Sequence, residues 1–333
     1  MGFARLKDSL LDRSIYFSFD RTGFERHAKR FDPADLDVDL TGRRCLVTGA
    51  NSGLGKATAL ALAPLGAAVW LLCRSEERGT AAQGDIETAT GTAPRLEIVD
   101  VASRASVGGF VERLGDLPVH VLVHNAGILP DTRRETEDGL EATWATNVMG
   151  PFLLTWLLAP NLRLGANDGG ARVINITSGG MYTQKLDLDD VDWLERKFDG
   201  VTAYAQTKRA EVILTELWAD RFAGTGVDVN SMHPGWADTP AVQQSLPRFW
   251  RFTRDRLRSP RQGSDTIVYL AAAPRLRGTT GAFFFDRRPA PTHAFPWTRE
   301  RAADRRELWL LCSRQAGVDG CPLDRNLPPG DTP

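Results

Sequence analysis

The sequence predicts an α/β fold, a doubly wound parallel sheet with helices on both of its faces. Short apolar runs bounded by turn residues alternate along the chain with longer segments of helical spacing. The runs read as strands buried on both faces, as the strands of parallel sheets are. A glycine-rich turn after the first of them opens into a helix, the arrangement in which backbone amides meet a bound phosphate.

Residues 1–41 form an aromatic-rich arm, with Ile15-Tyr-Phe-Ser-Phe19, Phe24 and Phe31 ahead of Asp35, Asp37 and Asp39. Such a terminus is expected to pack on the core, with a membrane or partner contact as the alternative. Arg5, Lys7, Asp8, Asp12 and Arg13 interrupt the hydrophobic stretch that a cleavable signal needs. A single domain is expected over residues 42–286. Its strands are read at Cys45–Thr48, Ala67–Cys73, Leu96–Val99, Val119–Val123, Val173–Thr177, Val227–Met232 and Ala282–Phe285. Helical spacing covers Arg104–Leu114, Asp138–Leu164, Ala203–Phe222 and Gln262–Ala272. Residues 287–333 form an extension with Pro289, Pro291 and Pro296, a helix from Thr298 to about Gln315, and a Pro/Gly-rich tail after about 317 that reads as disordered.

With 41 Lys and Arg against 42 Asp and Glu among 333 residues, the net charge of −1 gives no field that would select nucleic acid as a partner. Cys45, Cys73, Cys312 and Cys321 show neither C-x-x-C nor zinc spacing, so no metal site is expected and a reduced, cytoplasmic setting is. The uncharged stretch Ala57–Cys73 approaches the length of a membrane span, but Pro64 and Gly66 divide it into helix, turn and strand.

Two segments carry the chemistry. In Thr48-Gly-Ala-Asn-Ser-Gly-Leu-Gly55 the glycines let the backbone approach a pyrophosphate, whose charge the helix N-terminus attracts. The spacing is G-x-x-x-G-x-G, and alone it fits a purely structural turn equally well. In Tyr204-Ala-Gln-Thr-Lys208 the phenol and the ammonium stand four apart on one helix face. A phenol ordinarily titrates near pH 10, and a neighbouring cation lowers that value, which suits the pair to acid or base work.

Further matches stand in order between and after these segments: Asn125-Ala-Gly127, Asn147, Ser178 after Val173-Ile-Asn-Ile-Thr177, and Pro234-Gly235 with Thr239. Over residues 42–286 the chain resembles the short-chain dehydrogenase/reductase family. The resemblance implies a single Rossmann-type domain in which Tyr204 is the catalytic acid or base and Lys208 tunes it and holds the nicotinamide ribose. Ser178 would position the substrate oxygen, and Asn147 would hold a water that relays protons past Lys208. Gly49, Asn51, Ser52, Gly53, Leu54 and Gly55 would line the pyrophosphate, and Asp100 and Val101 the adenine. Asn125, Ala126 and Gly127 would lie on the adenosine ribose side, and Pro234, Gly235 and Thr239 at the carboxamide. His124 stands where the family usually has Asn, and packing or a backbone hydrogen bond is its expected role. Ser178 and Tyr204 are 26 positions apart, longer than in compact members, so Met181–Thr202 is expected to border the substrate pocket.

The implied reaction interconverts a carbonyl and an alcohol by hydride transfer. Arg74 stands 19 residues beyond Gly55, where a carboxylate would bind the ribose 2′-hydroxyl of NAD and an arginine accommodates a 2′-phosphate. NADP(H) is therefore favoured, with NAD(H) left open. Ser-Gly-Gly-Met181, Gln184-Lys-Leu186, Ser231-Met-His-Pro-Gly-Trp-Ala-Asp-Thr-Pro240 and Asp286-Arg-Arg-Pro289 narrow the resemblance to a branch called dehydrogenase/reductase member 12. The branch's wider relatives include retinol-dehydrogenase-like enzymes, which suggests a lipophilic small-molecule substrate. Residues 240–262 read as a lid carrying Arg248, Arg251, Arg254, Arg256, Arg258 and Arg261, either a solvated helix packed through its aromatic residues or a peripheral contact with a lipid surface. The family also suggests homo-oligomers through helix pairing, on a surface that the added arms could block. A nucleotide-binding sensor without turnover and an epimerase or dehydratase are the alternatives.

Overall fold

The apolar runs form β1 (Arg44–Thr48), β2 (Ala68–Cys73), β3 (Arg95–Ile98), β4 (Val121–His124), β5 (Ala171–Ile176), β6 (Val227–Met232) and β7 (Phe283–Phe285) in a computed structural model that describes Leu11 and residues 15–320. The segment read against a signal, Cys321 and the tail beyond residue 320 lie outside the described residues. A two-residue strand, β8 (Arg288–Pro289), pairs antiparallel with β7 and had no signal in the sequence. The sheet order is β3-β2-β1-β4-β5-β6-β7-β8, and every pair but the last is parallel.

Because β1 is flanked by β2 on one side and β4 on the other, the chain reverses its winding between β1 and β4. In open α/β sheets ligands bind in the crevice that opens beyond the strand carboxyl ends at such a point. Thr48, His124, Ile176 and Met232 are the last residues of β1, β4, β5 and β6, so the segments after them share one edge of the sheet.

Side chains alternate between two cores, as the two-residue period of a strand requires. Leu46, Leu72, Leu122 and Val173 face a cluster with Phe110, Phe152, Trp156, Trp218 and Trp309. Cys45, Val47, Leu71, Val123 and Ile174 face the other side, against Leu62, Ile267 and Leu270. The C-terminal helix Ala302–Ala316 belongs to the first cluster through Leu308, Trp309 and Cys312, and Gln315 accepts a hydrogen bond from Trp144 Nε1 at 2.7 Å.

Two expectations need correction. The helix read over Asp138–Leu164 is divided into Ala142–Trp144, a π-helical turn Ala145–Met149, and helices Gly150–Leu157 and Ala159–Asn167. Pro151 and Pro160 lie in the first turns of the last two, where a residue without an N–H starts a helix and does not continue one. The lid likewise is not one amphipathic helix. Pro247 separates Pro240–Ser245 from Pro247–Thr253, and Leu257 and Arg258 turn inward and are buried.

Candidate active site

The glycine turn takes the left-handed backbone that a phosphate cradle needs. Gly49 and Gly53 have φ of +64° and +54°, which a side chain disfavours. A Cβ on Gly55 would come within 2.5 Å of Asn125 Nδ2 and 2.6 Å of Gly49 O, so only glycine lets the helix Gly53–Leu62 start this close to β1. Ser52 makes no side-chain cap on that helix, which leaves its first amides for another acceptor. Asn51, Ser52, Gly53 and Leu54 are half-buried, while Gly55 is buried.

Asn125 clamps the turn by donating from Nδ2 to Thr48 O at 2.8 Å and to Gly49 O at 3.2 Å. Thr48 Oγ1 accepts from the amides of Asn125 and Ala126, both at 3.0 Å. Thr239 closes over the same turn, its Cβ lying 3.3 Å from where a Cβ on Gly53 would be. Arg74 follows β2 and Asp100 follows β3, with Arg74 Nη1 3.9 Å from Asp100 Oδ2. Val101 packs on Gly150.

The proposed catalytic side chains converge from three elements. Asn147 lies in the π-helical turn, a distortion common at functional sites. Its Oδ1 accepts from Ile128 N at 2.9 Å, and its Nδ2 donates to Ile128 O at 3.1 Å and Thr207 Oγ1 at 3.0 Å. Lys208, in the helix Gly200–Arg221, donates to Ile176 O at 2.9 Å, and its Nζ is 5.5 Å from the centre of the Tyr204 ring. A Cβ on Gly127 would stand 3.4 Å from Asn147 Oδ1 and 3.5 Å from Lys208 Nζ, so these two side chains meet beside the Asn125-Ala-Gly segment. Ser178 reaches the same helix from β5, since a Cβ on Gly180 would lie 3.6 Å from both Ser178 Oγ and Ala205 Cβ. Tyr204 and Ser178 are half-buried, open enough to meet a ligand.

Several neighbours escaped the sequence reading. Glu211, one turn beyond Lys208, accepts from its Nζ at 2.7 Å. An acid in the middle of an otherwise buried helix face was the available signal. Burial pushes the Glu211 carboxyl up to about 7, against the pull of Lys208. Burial alone would lower the Lys208 ammonium, but Glu211 and Tyr204 outweigh it and raise the value. His124 bonds Thr155 Oγ1 at 2.8 Å, a side-chain partner, and burial pushes its imidazole down to about 3.

Pro234 and Gly235 are held from the N-terminal arm. Trp236 N donates to Phe19 O at 2.8 Å, and His233 packs between the rings of Phe19 and Phe285, with centroids 4.2 and 4.5 Å away. A Cβ on Gly179 would come within 2.7 Å of the Phe19 ring, which sets that ring one residue from Ser178. The buried Arg258 joins Ser18 O, Asp20 O and Pro234 O to the Asp286 carboxylate. Among the described residues, no group of three His, Cys, Asp or Glu is placed to hold a metal ion.

A family model described as short chain dehydrogenase matches residues 43–188. Dehydrogenase/reductase SDR family member 12 of Bos taurus is 43% identical over 296 residues, 88% of this chain and 92% of that protein. Retinol dehydrogenase 13 of Mus musculus is 34% identical over 84% of this chain and 85% of that protein. Among solved structures, 3-ketoacyl-(acyl-carrier-protein) reductase from Brucella melitensis complexed with NADH superposes with a TM-score of 0.59 at 25% identity, covering 74% of this chain and 97% of that one. The chain belongs to the short-chain dehydrogenase/reductase family, in the branch of member 12, and is an NAD(P)-dependent oxidoreductase.

Proposed function

We propose that the protein interconverts a lipophilic carbonyl compound and its alcohol, with NADP(H) as the preferred cofactor. The observation that carries this reading is the convergence of Asn147, Lys208 and Gly127 one helical turn from Tyr204, beside a glycine cradle with an uncapped helix start. A bound nicotinamide supplies or accepts the hydride. The amides after Ser52 and the glycines bind the pyrophosphate, Asn125 keeps their turn closed, and Thr239 with Pro234 and Gly235 borders the carboxamide end. Asp100 and Val101 flank the adenine, and Asn125, Ala126 and Gly127 flank the ribose. In reduction, Ser178 and Tyr204 donate hydrogen bonds to the substrate oxygen, and Tyr204 gives it a proton as negative charge develops there. Lys208 orients Tyr204 and a ribose hydroxyl, and Asn147 holds the proton path behind it.

Arg74 favours NADP(H), because its guanidinium can bond a phosphate in a bidentate manner. The lipophilic class is supported by the retinol dehydrogenase relative. A peripheral lipid contact is supported by Phe252, which is 80% exposed between the exposed Arg251 and Arg254. No described helix is long and apolar enough to cross a membrane. Liposome sedimentation without binding, even to anionic vesicles, contradicts that contact.

The deciding experiment is a panel of retinoid, aliphatic and steroid carbonyls and alcohols followed at the nicotinamide absorbance. Tyr204→Phe is expected to lower turnover of the best substrate by ~10² to 10⁴, the range of general acid catalysis. Full activity in that variant removes Tyr204 from its role.

A further inference from the structure

Lys208 has a buried acid as its ion-pair partner. Glu211 Oε1 lies 2.7 Å from Lys208 Nζ, with the two side chains 6% and 5% exposed. Its other oxygen, Oε2, is buried without a hydrogen-bond partner. An ionised carboxylate taken out of water needs a compensating charge, and removal of that charge leaves it strongly destabilised.

The surroundings offer no substitute for Lys208. From β5, the Asn175 amide is committed to Thr215 Oγ1 at 2.8 Å, and the Ile176 carbonyl accepts from Lys208 itself. From β4, His124 is uncharged at neutral pH and bonded to Thr155. The π-helical turn contributes the uncharged Asn147, already bonded to Ile128 and Thr207. On the same helix, Arg209 donates to the carbonyls of Met181 and Thr292, both at 2.8 Å, and Tyr204 stands on the far side of Lys208. Among the described residues, Lys208 is the charged group that pulls on Glu211 and is its ion-pair partner.

We propose that Glu211 is a positioning residue of the cofactor site, and that it takes up one proton from solvent when a nucleotide hydroxyl draws the Lys208 ammonium out of the ion pair. This role rests on the oxidoreductase reading of the site. In the step a carboxylate oxygen gains the proton, the ammonium keeps all of its own, and no other bond changes. Before binding, Glu211 holds Lys208 against Ile176 O at the carboxyl end of β5. After binding, a neutral acid remains in a neutral pocket, and the charge of Lys208 is free to act on Tyr204 and the ribose. The resting carboxyl, held up to about 7 while still paired, is already poised for that uptake.

The coupling is visible without turnover. On adding NADPH or NADH at pH 8, infrared difference spectra of the wild type are expected to gain a protonated-carboxyl stretching band that moves in heavy water. Weakly buffered protein is expected to take up close to one proton per bound nucleotide. Nucleotide dissociation constants are expected to rise with pH above neutrality, by up to about tenfold per unit, the slope of one linked proton. Glu211→Gln is expected to lack the band while still binding nucleotide. Lys208→Met, with the cation gone, is expected to show Glu211 protonated beforehand and no new band.

Saturable binding in the wild type without the band or the proton uptake overturns the role of Glu211 alone. A band that persists in Glu211→Gln overturns it too. No saturable binding of either nucleotide by the wild type overturns the oxidoreductase reading, and this role with it.

Discussion

Arg258 and Asp286 form a two-pronged ion pair in the protein interior, with Nη1 2.6 Å from Oδ1 and Nη2 2.9 Å from Oδ2. Their side chains are 1% and 4% exposed, and His27 Nδ1 lies 2.6 Å from the second carboxylate oxygen. The pair fastens the N-terminal arm, the loop at Pro234 and the turn after β7 to one another.

Breaking the pair leaves a buried charge without its partner. Asp286→Asn is expected to lower unfolding stability by about 3–5 kcal/mol, measured as a shifted denaturant midpoint at unchanged slope. Burial alone would raise the Asp286 carboxyl, but His27 and Arg258 outweigh it and hold it below its ordinary value. A value depressed in the folded state gives a stabilisation that is full above the unfolded-state pKa and is lost as pH falls through the depressed value. Wild-type stability is therefore expected to fall more steeply than that of Asp286→Asn below about pH 4.

Gly55→Ala tests the cradle. The added methyl would force Asn125 or the Gly49 carbonyl out of place, because both lie within 2.6 Å of it. Loss of one well-placed hydrogen bond, about 1–3 kcal/mol, corresponds to roughly 5- to 150-fold weaker NADPH binding in a fluorescence titration. Unchanged affinity would place the pyrophosphate elsewhere.

Arg74→Ala tests cofactor choice. The Arg74 side chain is 64% exposed just after β2, and among the described residues its ion-pair contact is a long one, 3.9 Å to Asp100, so it can turn to a phosphate. Removal of a charge-assisted hydrogen bond, about 1.5–3 kcal/mol, is expected to weaken NADPH roughly 10- to 150-fold and leave NADH within twofold. Equal weakening of both contradicts the 2′-phosphate role.

Trp309→Ala probes the docking of the C-terminal helix. The Trp309 ring centre lies 5.0 Å from that of Phe152 and 4.8 Å from that of Trp218, and the Arg221 guanidinium covers it at 3.3 Å. Truncation of a buried tryptophan is expected to cost about 3–5 kcal/mol, read by chemical denaturation. A loss below 1 kcal/mol would mean that the helix is held elsewhere.

The strands were legible because buried parallel strands leave uninterrupted apolar runs, and β1 to β7 lie within two residues of those runs at either end. The crevice followed from Gly49, Gly53 and Gly55 at the end of β1. Local signals that compete were harder to read. The Asp138–Leu164 segment keeps apolar residues at helical spacing through most of its length, which masks the breaks at Pro151 and Pro160 and the π-helical turn at Asn147. Arg258 looked like one more solvated arginine because its partners are distant in sequence: Asp286 is 28 positions on and Ser18 is 240 back. Glu211 was missed because helical spacing gives the face of a residue and not the depth of its burial.

The bond from Arg258 to Ser18 O and that between His27 and Asp286 join positions 240 and 259 residues apart. The arm precedes Asp286 by more than 250 positions, and its binding surface is incomplete until that carboxylate is in place. The strands β1 to β6 all precede Asp286, so their pairing does not depend on the arm's ion pair. Contacts of such long sequence separation form late. A chain truncated before Asp286 would keep the arm's contacts with Trp236 and His233 but leave the buried Arg258 and His27 without the carboxylate that ties them together.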